Sequence, residues 1–385
     1  MPLDGLLLGV KDIFHARGYA TGCGTQLPSH LFRGEEALAV SRLRRAGALL
    51  IGKTVTAEFA CSAPGPTRNP LNAAHTPGGS SSGSAAGVAA GYFDLALGTQ
   101  TVGSVIRPAA YCGIVGFRPT PSRIPNTGVQ PYSDTVDSVG LFARDLAGLD
   151  PAMPWLLDCW GIAADPPGVA AIPEGPYLEL ADAEIRSAFD AAVERIRGAG
   201  IGVSRVSALQ DIDDLIHRHN GLTRAELYRN HRDRLGEWRA AYRRQTLRVI
   251  DSGADFDDAE LTDLRQARLR SIENHAALMT TMGIDIWLCP ATTSLAPRGL
   301  ESTGDPTMNL PWTYLGLPVL TLPTLPASGG LWHGLQIVGR YYRDEALLSF
   351  ARLISPLFTA VGADDMRASG ELAVHHGDGG LHRNP

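Results

Sequence analysis

The segment Pro77-Gly-Gly-Ser80-Ser81-Ser82-Gly-Ser84-Ala-Ala86 constrains the fold of this chain more than any other. It carries almost no side-chain volume, yet small and apolar residues follow at once through Gly91. A free linker has no use for that continuation, whereas a small-residue helix entered from a Gly-Ser turn can pack its backbone tightly. It would also present hydroxyls and N–H groups at its N-terminus. Around it, short apolar runs alternate with glycine-rich breaks. Gly5 to Val10 reads as a strand, and Gly34 to Arg45 as an amphipathic helix with Ala37, Val40 and Leu43 on one face. Ala48 to Gly52 and Tyr92 to Gly98 read as further strands, with Gly83 to Gly91 as the helix between them. This rhythm predicts an α/β fold whose sheet is largely covered.

Residues 151 to 180 are rich in proline and glycine and read as a surface excursion. Asp182 to Arg197 has Ile185, Phe189, Val193 and Ile196 on one face and predicts a helix, followed by a strand at Gly202 to Val206. Leu209 to Thr280 reads as mostly helical, so that 151–285 forms a more helical excursion. Asp285–Leu288, Val319–Leu322 and Leu335–Val338 predict strands, and Asp344 to Leu353 a closing helix. We expect one domain over 1–369 and a disordered tail over 370–385.

Composition excludes several classes. Forty acidic residues against 34 basic leave a net charge of −6 with no basic block, which gives nucleic acid and acidic membranes no electrostatic handle. No stretch approaches the roughly 18 apolar residues that cross a bilayer, and the N-terminus lacks the basic region of a secretory signal. Five scattered cysteines without C-x-x-C spacing argue for reduced thiols in a cytoplasm. Among the basic residues, only Lys11 and Lys53 are lysine; the other 32 are arginine. Lysine can lose its proton in a protein and arginine cannot, which makes both lysines candidates for a neutral amine.

The Gly-Ser segment admits three chemistries. A phosphate loop fails, because Gly78 and Gly83 have the spacing but Ser84 stands where the lysine must be. A nucleophile elbow Gly79-Ser80-Ser81-Ser82-Gly83 would use Ser81 with a late histidine such as His333, but no buried strand precedes it. The third joins it to Gly98-Thr99-Gln100-Thr101-Val102-Gly103-Ser104, where a serine follows a turn with several N–H groups. Neither loop holds a histidine or carboxylate, so Lys11 is the remaining base for a Ser-Ser-Lys relay. His217-Arg-His219 reads as a solvated helix surface, and the aspartate clusters near 211–214 and 255–258 as solvated faces.

These segments, with Gly9-Val10-Lys11-Asp12 and Tyr111-Cys-Gly-Ile-Val-Gly-Phe-Arg-Pro119, resemble the amidase signature family. Ser104 lies 24 residues after Ser80 and 93 after Lys11, spacings similar to the family's. Gly316-Leu-Pro318 and Gly334-Leu-Gln336 are similar to its C-terminal motifs, and Ser104-Val-Ile-Arg107-Pro looks most like malonamidase-type members. The resemblance implies one α/β/α domain around a mixed, mostly parallel sheet, with no metal or cofactor. It implies Ser104 as nucleophile, Ser80 as the serine on a cis peptide, and Lys11 as base. Thr99 would support the site, and the N–H groups of Thr101, Val102, Gly103 and Ser104 would form the oxyanion hole. Arg107 would clamp a substrate carboxylate, with Gly79 and Ser81 beside the substrate. The implied enzyme is a cytoplasmic amidohydrolase, acting on a small amide through an acyl-enzyme, and the resemblance leaves room for a homodimer. Lys53 reads as structural.

Two departures stand out. Val102 replaces a second small glycine of the family's turn, and a valine there is awkward if its φ is positive. Relatives also carry helices ahead of the strand that bears Lys11, where this sequence begins. The alternative function is therefore a catalytically weak or inactive amidase-like protein that binds a small carboxylate, an amide or a partner chain.

Overall fold

Along Leu95–Gln100, Leu95 and Leu97 bury in one apolar cluster and Ala96 in another. The same alternation recurs at Leu320, Leu322 against Val319 and at Ile286, Leu288 against Trp287. Successive side chains of a strand point to opposite faces, so two clusters mean that the sheet is covered on both. The architecture is α/β, with helices flanking the sheet.

The computed structural model describes residues 1–161 and 166–358. Their strands are β1 (Leu7–Lys11), β2 (Leu49–Thr54), β3 (Leu95–Gln100), β4 (Val115–Arg118) and β5 (Ser138–Ala143), then β6 (Ala170–Glu174), β7 (Val203–Ser207), β8 (Ile286–Pro290), β9 (Val319–Pro326) and β10 (Trp332–Gly339). They form a ten-stranded sheet in the order β2-β1-β3-β5-β4-β9-β10-β8-β6-β7. The sheet is mixed, as expected, but parallel pairing is confined to its two ends. β1 runs parallel to β2 and β3, and β6 to β7 and β8. The five pairings between β3 and β8 are antiparallel. In place of a mostly parallel sheet, the centre is therefore antiparallel. Part of the cause is local: only a short connection joins β9 to β10, too short for the crossover a parallel pair needs.

The region from 151 to 285 is not purely an excursion. β6 and β7 lie within it and complete one edge of the sheet. The helices Ile212–Trp238 and Asp258–Thr281 form the expected helical layer. Asp257 caps the second by accepting from Glu260 N, while Glu260 reaches back to Asp257 N. His219 departs from the surface reading: it is 0% exposed, with its ring against Tyr314. Among the described residues no helix is long and apolar enough to cross a membrane. The expected tail lies outside the described residues.

Candidate active site

β1 and β3 are adjacent and parallel, with Val10 opposite Leu97. Their C-terminal ends therefore bring Lys11 beside Thr99, where open α/β sheets place their ligands. The helix Ser82–Ala89 packs across this end because its residues are small. Ser84 Oγ donates to Leu97 O (2.8 Å) and lies 2.7 Å from Thr54 Oγ1. A Cβ on Gly83 would collide with the Val55 backbone, so only glycine permits this approach.

Lys11 is fully buried, with its Nζ 2.8 Å from both Ser80 Oγ and Thr99 Oγ1. The Gly79–Ser80 peptide is cis. Burial pulls the Lys11 pKa down to about 7, and the Asp137 carboxylate opposes it. A neutral amine is therefore accessible near neutral pH. Lys53 instead sits in an ion pair with Asp12 at 2.7 Å, the structural role expected of it.

Ser104 is 8% exposed and opens the turn into the helix Ile106–Tyr111. Gln100 fixes this turn: its Oε1 accepts from Val105 N (2.8 Å) and Ile106 N (3.0 Å). Among the described residues the N–H groups of Thr101, Val102, Gly103 and Ser104 donate to no protein acceptor. Four adjacent unsatisfied donors beside a serine can stabilise an oxyanion. Val102 is not among the residues with positive φ, so its valine carries no backbone strain. Its carbonyl accepts from Thr313 Oγ1 at 2.7 Å. Gly103 is needed as glycine because a Cβ there would collide with the Asn309 carboxamide.

A hydrogen bond joins Lys11 to Ser80, and none joins Ser80 to Ser104. The two loops are nevertheless tied together. Arg107 Nη2 donates to Gly79 O (2.6 Å) and to Thr303 Oγ1 (3.1 Å). Arg107 is 4% exposed, while its Nε and Nη1 have no partner among the described residues. Burial lowers its pKa, with Tyr111 and Asp305 raising it.

Ser81 is not free to meet a substrate. It is fully enclosed, donating to Thr99 O (3.3 Å) and accepting from Thr99 N (3.4 Å), which pins the loop to β3. The elbow reading loses its base as well, because His333 lies against Leu325 O and Glu184. Among the described residues no group of three or more His, Cys, Asp or Glu side chains is arranged to hold a metal.

Sequence reasoning missed Asp137, Gln100, Asn309 and Thr313. Asp137 stands just before β5, and the antiparallel register that pairs Gln100 with Ser138 sets it against Thr101. Its Oδ1 accepts from Thr101 Oγ1 at 2.5 Å. The missed signal was the polar residue directly before an apolar strand.

Residues 1–160 match the family model described as Amidase. The chain is 30% identical to a subunit of the glutamyl-tRNA(Gln) amidotransferase of Geobacter metallireducens, over 91% of this chain and 83% of that protein. The chain belongs to the amidase signature family. A solved amidase, 30% identical, superposes with a TM-score of 0.82 over 94% of this chain and 86% of its own. Kluyveromyces lactis allophanate hydrolase, 26% identical, superposes at 0.83 over 94% of this chain and 62% of its own. Membership in the amidase signature family makes this chain an enzyme that hydrolyses amide C–N bonds.

Proposed function

We propose that this amidase hydrolyses a small amide bearing a carboxylate, through an acyl-enzyme on Ser104 and with no metal or cofactor. The observation that carries the reading is the buried Lys11 amine, 2.8 Å from Ser80 Oγ and brought to a pKa of about 7.

Ser104 Oγ attacks the amide carbonyl and passes its proton to Ser80, whose own proton moves to Lys11. The carbonyl oxygen takes negative charge and is met by the N–H groups of Thr101 to Ser104. As the C–N bond breaks, Lys11 returns the proton through Ser80 to the leaving nitrogen, and ammonia or an amine departs. Water then attacks the Ser104 ester along the same relay and releases the acid. The Ser80–Ser104 contact is expected to tighten with substrate present, as such contacts often lengthen without it.

The carboxylate preference follows from Arg107. A buried guanidinium that uses one nitrogen and leaves Nε and Nη1 unpaired retains donors for an anion beside the scissile amide. A cytoplasmic setting fits a chain with five cysteines free.

Ammonia release tests the reading, using malonamate-like acids beside neutral aliphatic and aryl amides with wild type and Ser104→Ala. Release that disappears in Ser104→Ala is expected. Well-folded wild type that turns over none of them would favour a binding role.

A further inference from the structure

The carboxylate of half-buried Asp137 has no ion-pair partner among the described residues, yet it meets the candidate site at Thr101. Its Oδ1 accepts from Thr101 Oγ1, the residue that begins the row of free N–H groups. Its Oδ2 accepts from Tyr132 N (2.7 Å) and Ser133 N (3.0 Å). Asn126 Nδ2 donates to the Asp137 carbonyl at 2.7 Å, so backbone and side chain are both held. The supporting loop is itself anchored from the helical layer. Glu226, on the helix Ile212–Trp238, accepts from Ser133 Oγ (2.5 Å) and Thr135 N (3.0 Å) and pairs with Arg265 at 2.6 Å.

We propose that Asp137 is a positioning residue for this site: it pins the Thr101 end of the N–H row and supplies the negative charge that stabilises Lys11 when the amine takes up a proton. The inference rests on the amidase reading above. In the relay, Lys11 alternates between amine and ammonium inside a fully buried site, where an uncompensated charge is costly. A carboxylate hydrogen-bonded to Lys11 would lock it as ammonium and abolish the base. Asp137 instead makes no hydrogen bond to Lys11, and its acceptors are taken up by Thr101 and the loop. It can thus favour the ammonium without capturing it.

The titration is consistent with that division. Burial raises the Asp137 pKa to about 6, while Thr101, the Tyr132 and Ser133 N–H groups and Lys11 lower it. Between about 6 and 7 the pair passes from acid and ammonium to carboxylate and amine. The other ionisable groups around it are Tyr132, on its own loop, and Asp134, Glu226 and Arg265 behind that loop.

Two lysines in the whole chain make the test direct. Protein labelled with 13C at lysine Cε gives two titrating signals, Lys11 and Lys53, with no substrate required. In Asp137→Asn the Lys11 midpoint should fall by about one unit. An unchanged Lys11 midpoint overturns the proposal. Thr101→Val, which keeps the carboxylate, should move the midpoint less than Asp137→Asn; an equal shift would assign the effect to the hydroxyl instead. Should Asp137→Asn not fold, the wild-type Lys11 curve decides, because a coupled neighbour gives it a second inflection near 6. A single-site curve counts against the proposal. In turnover, both variants should lower kcat at least tenfold with KM within about twofold. Absent wild-type turnover with a shifted Lys11 midpoint would sink the amidase reading and leave the electrostatic coupling standing.

Discussion

Lys11 and Ser80 are 69 residues apart in sequence, and their side chains meet at 2.8 Å inside the protein. The contact joins the end of β1 to the Gly-Ser loop and is closed off from solvent on every side. As the proposed proton acceptor, the amine must be neutral. With the Lys11 pKa at about 7, the ammonium dominates below that value and cannot accept the Ser80 proton. The rate constant kcat/KM should therefore rise about tenfold per pH unit below 7 and level off above it. Lys11→Arg should show no such limb and lose at least 100-fold in rate. A pH profile of ammonia release checks both.

The same burial has a stability consequence of fixed sign. The folded pKa lies below the unfolded lysine value, so the unfolded chain binds more protons between the two. The penalty is absent above the unfolded value, grows as pH falls through the window, and is complete below about 7. Lys11→Met should accordingly raise stability at pH 7 by roughly 2–4 kcal/mol while abolishing turnover. Its advantage should shrink toward pH 10. Urea denaturation at the two pH values measures the difference, and a Met variant less stable than wild type at pH 7 would contradict it.

If Ser104 and Ser80 act as proposed, the two serines should fail differently. Ser104→Ala removes the attacking oxygen, so no acyl adduct can form, and mass spectrometry after an activated ester or fluorophosphonate should find none. Ser80→Ala leaves the attacking oxygen but removes the proton path, and should slow acylation by about 10²–10⁴ while still labelling slowly at Ser104. Equal and complete loss of labelling in both would argue against Ser80 as a relay.

Much of this site was legible because its parts lie in contiguous loops whose residues are constrained by packing. Glycine at 83, where only hydrogen fits, and the serines around it are local necessities, as are the apolar runs of β1 and β3. Asp137, Asn309 and Thr313 were not legible, because nothing near them in sequence shows what they face. Asp137 reaches Thr101 only through the register of β3 on β5, and Asn309 approaches Gly103 from more than two hundred residues away. β6 was missed for a related reason. Ala-Ala-Ile-Pro-Glu is short and proline-bearing, and its neighbours β7 and β8 supply the pairing that makes it a strand. His219 looked like part of a charged helix surface, but the face that carries it turns inward against Tyr314.

Arg107 carries the specificity prediction. Replacing it with alanine should remove the preference for acidic amides, raising KM for them by about 10- to 100-fold, the worth of a charge-assisted hydrogen bond. Neutral amides should be affected far less. Stability need not fall much, since Nε and Nη1 are buried without partners and their removal relieves a desolvation cost. Parallel loss on acidic and neutral substrates would instead assign Arg107 to holding the Gly79 carbonyl.

Gln100 should prove as important to the fold of the site as the serines are to its chemistry. Its carboxamide oxygen is the acceptor for both Val105 N and Ile106 N, and its Nε2 donates to Thr313 Oγ1 at 2.9 Å. Gln100→Leu keeps the volume but strands two buried N–H groups and frees the Thr313 hydroxyl, which itself holds the Val102 carbonyl. Unpaired buried donors cost about 1–3 kcal/mol each, so a loss of roughly 2–5 kcal/mol is expected. Gln100→Glu tests the cause, because it retains the acceptor and loses only the donor to Thr313. Its stability should lie between wild type and Gln100→Leu, provided the measurement is made where the glutamate has not gained a buried charge. If Gln100→Leu unfolds at the same denaturant concentration as wild type, the turn before Ser104 is held by its own backbone, and Gln100 is a filler of volume only.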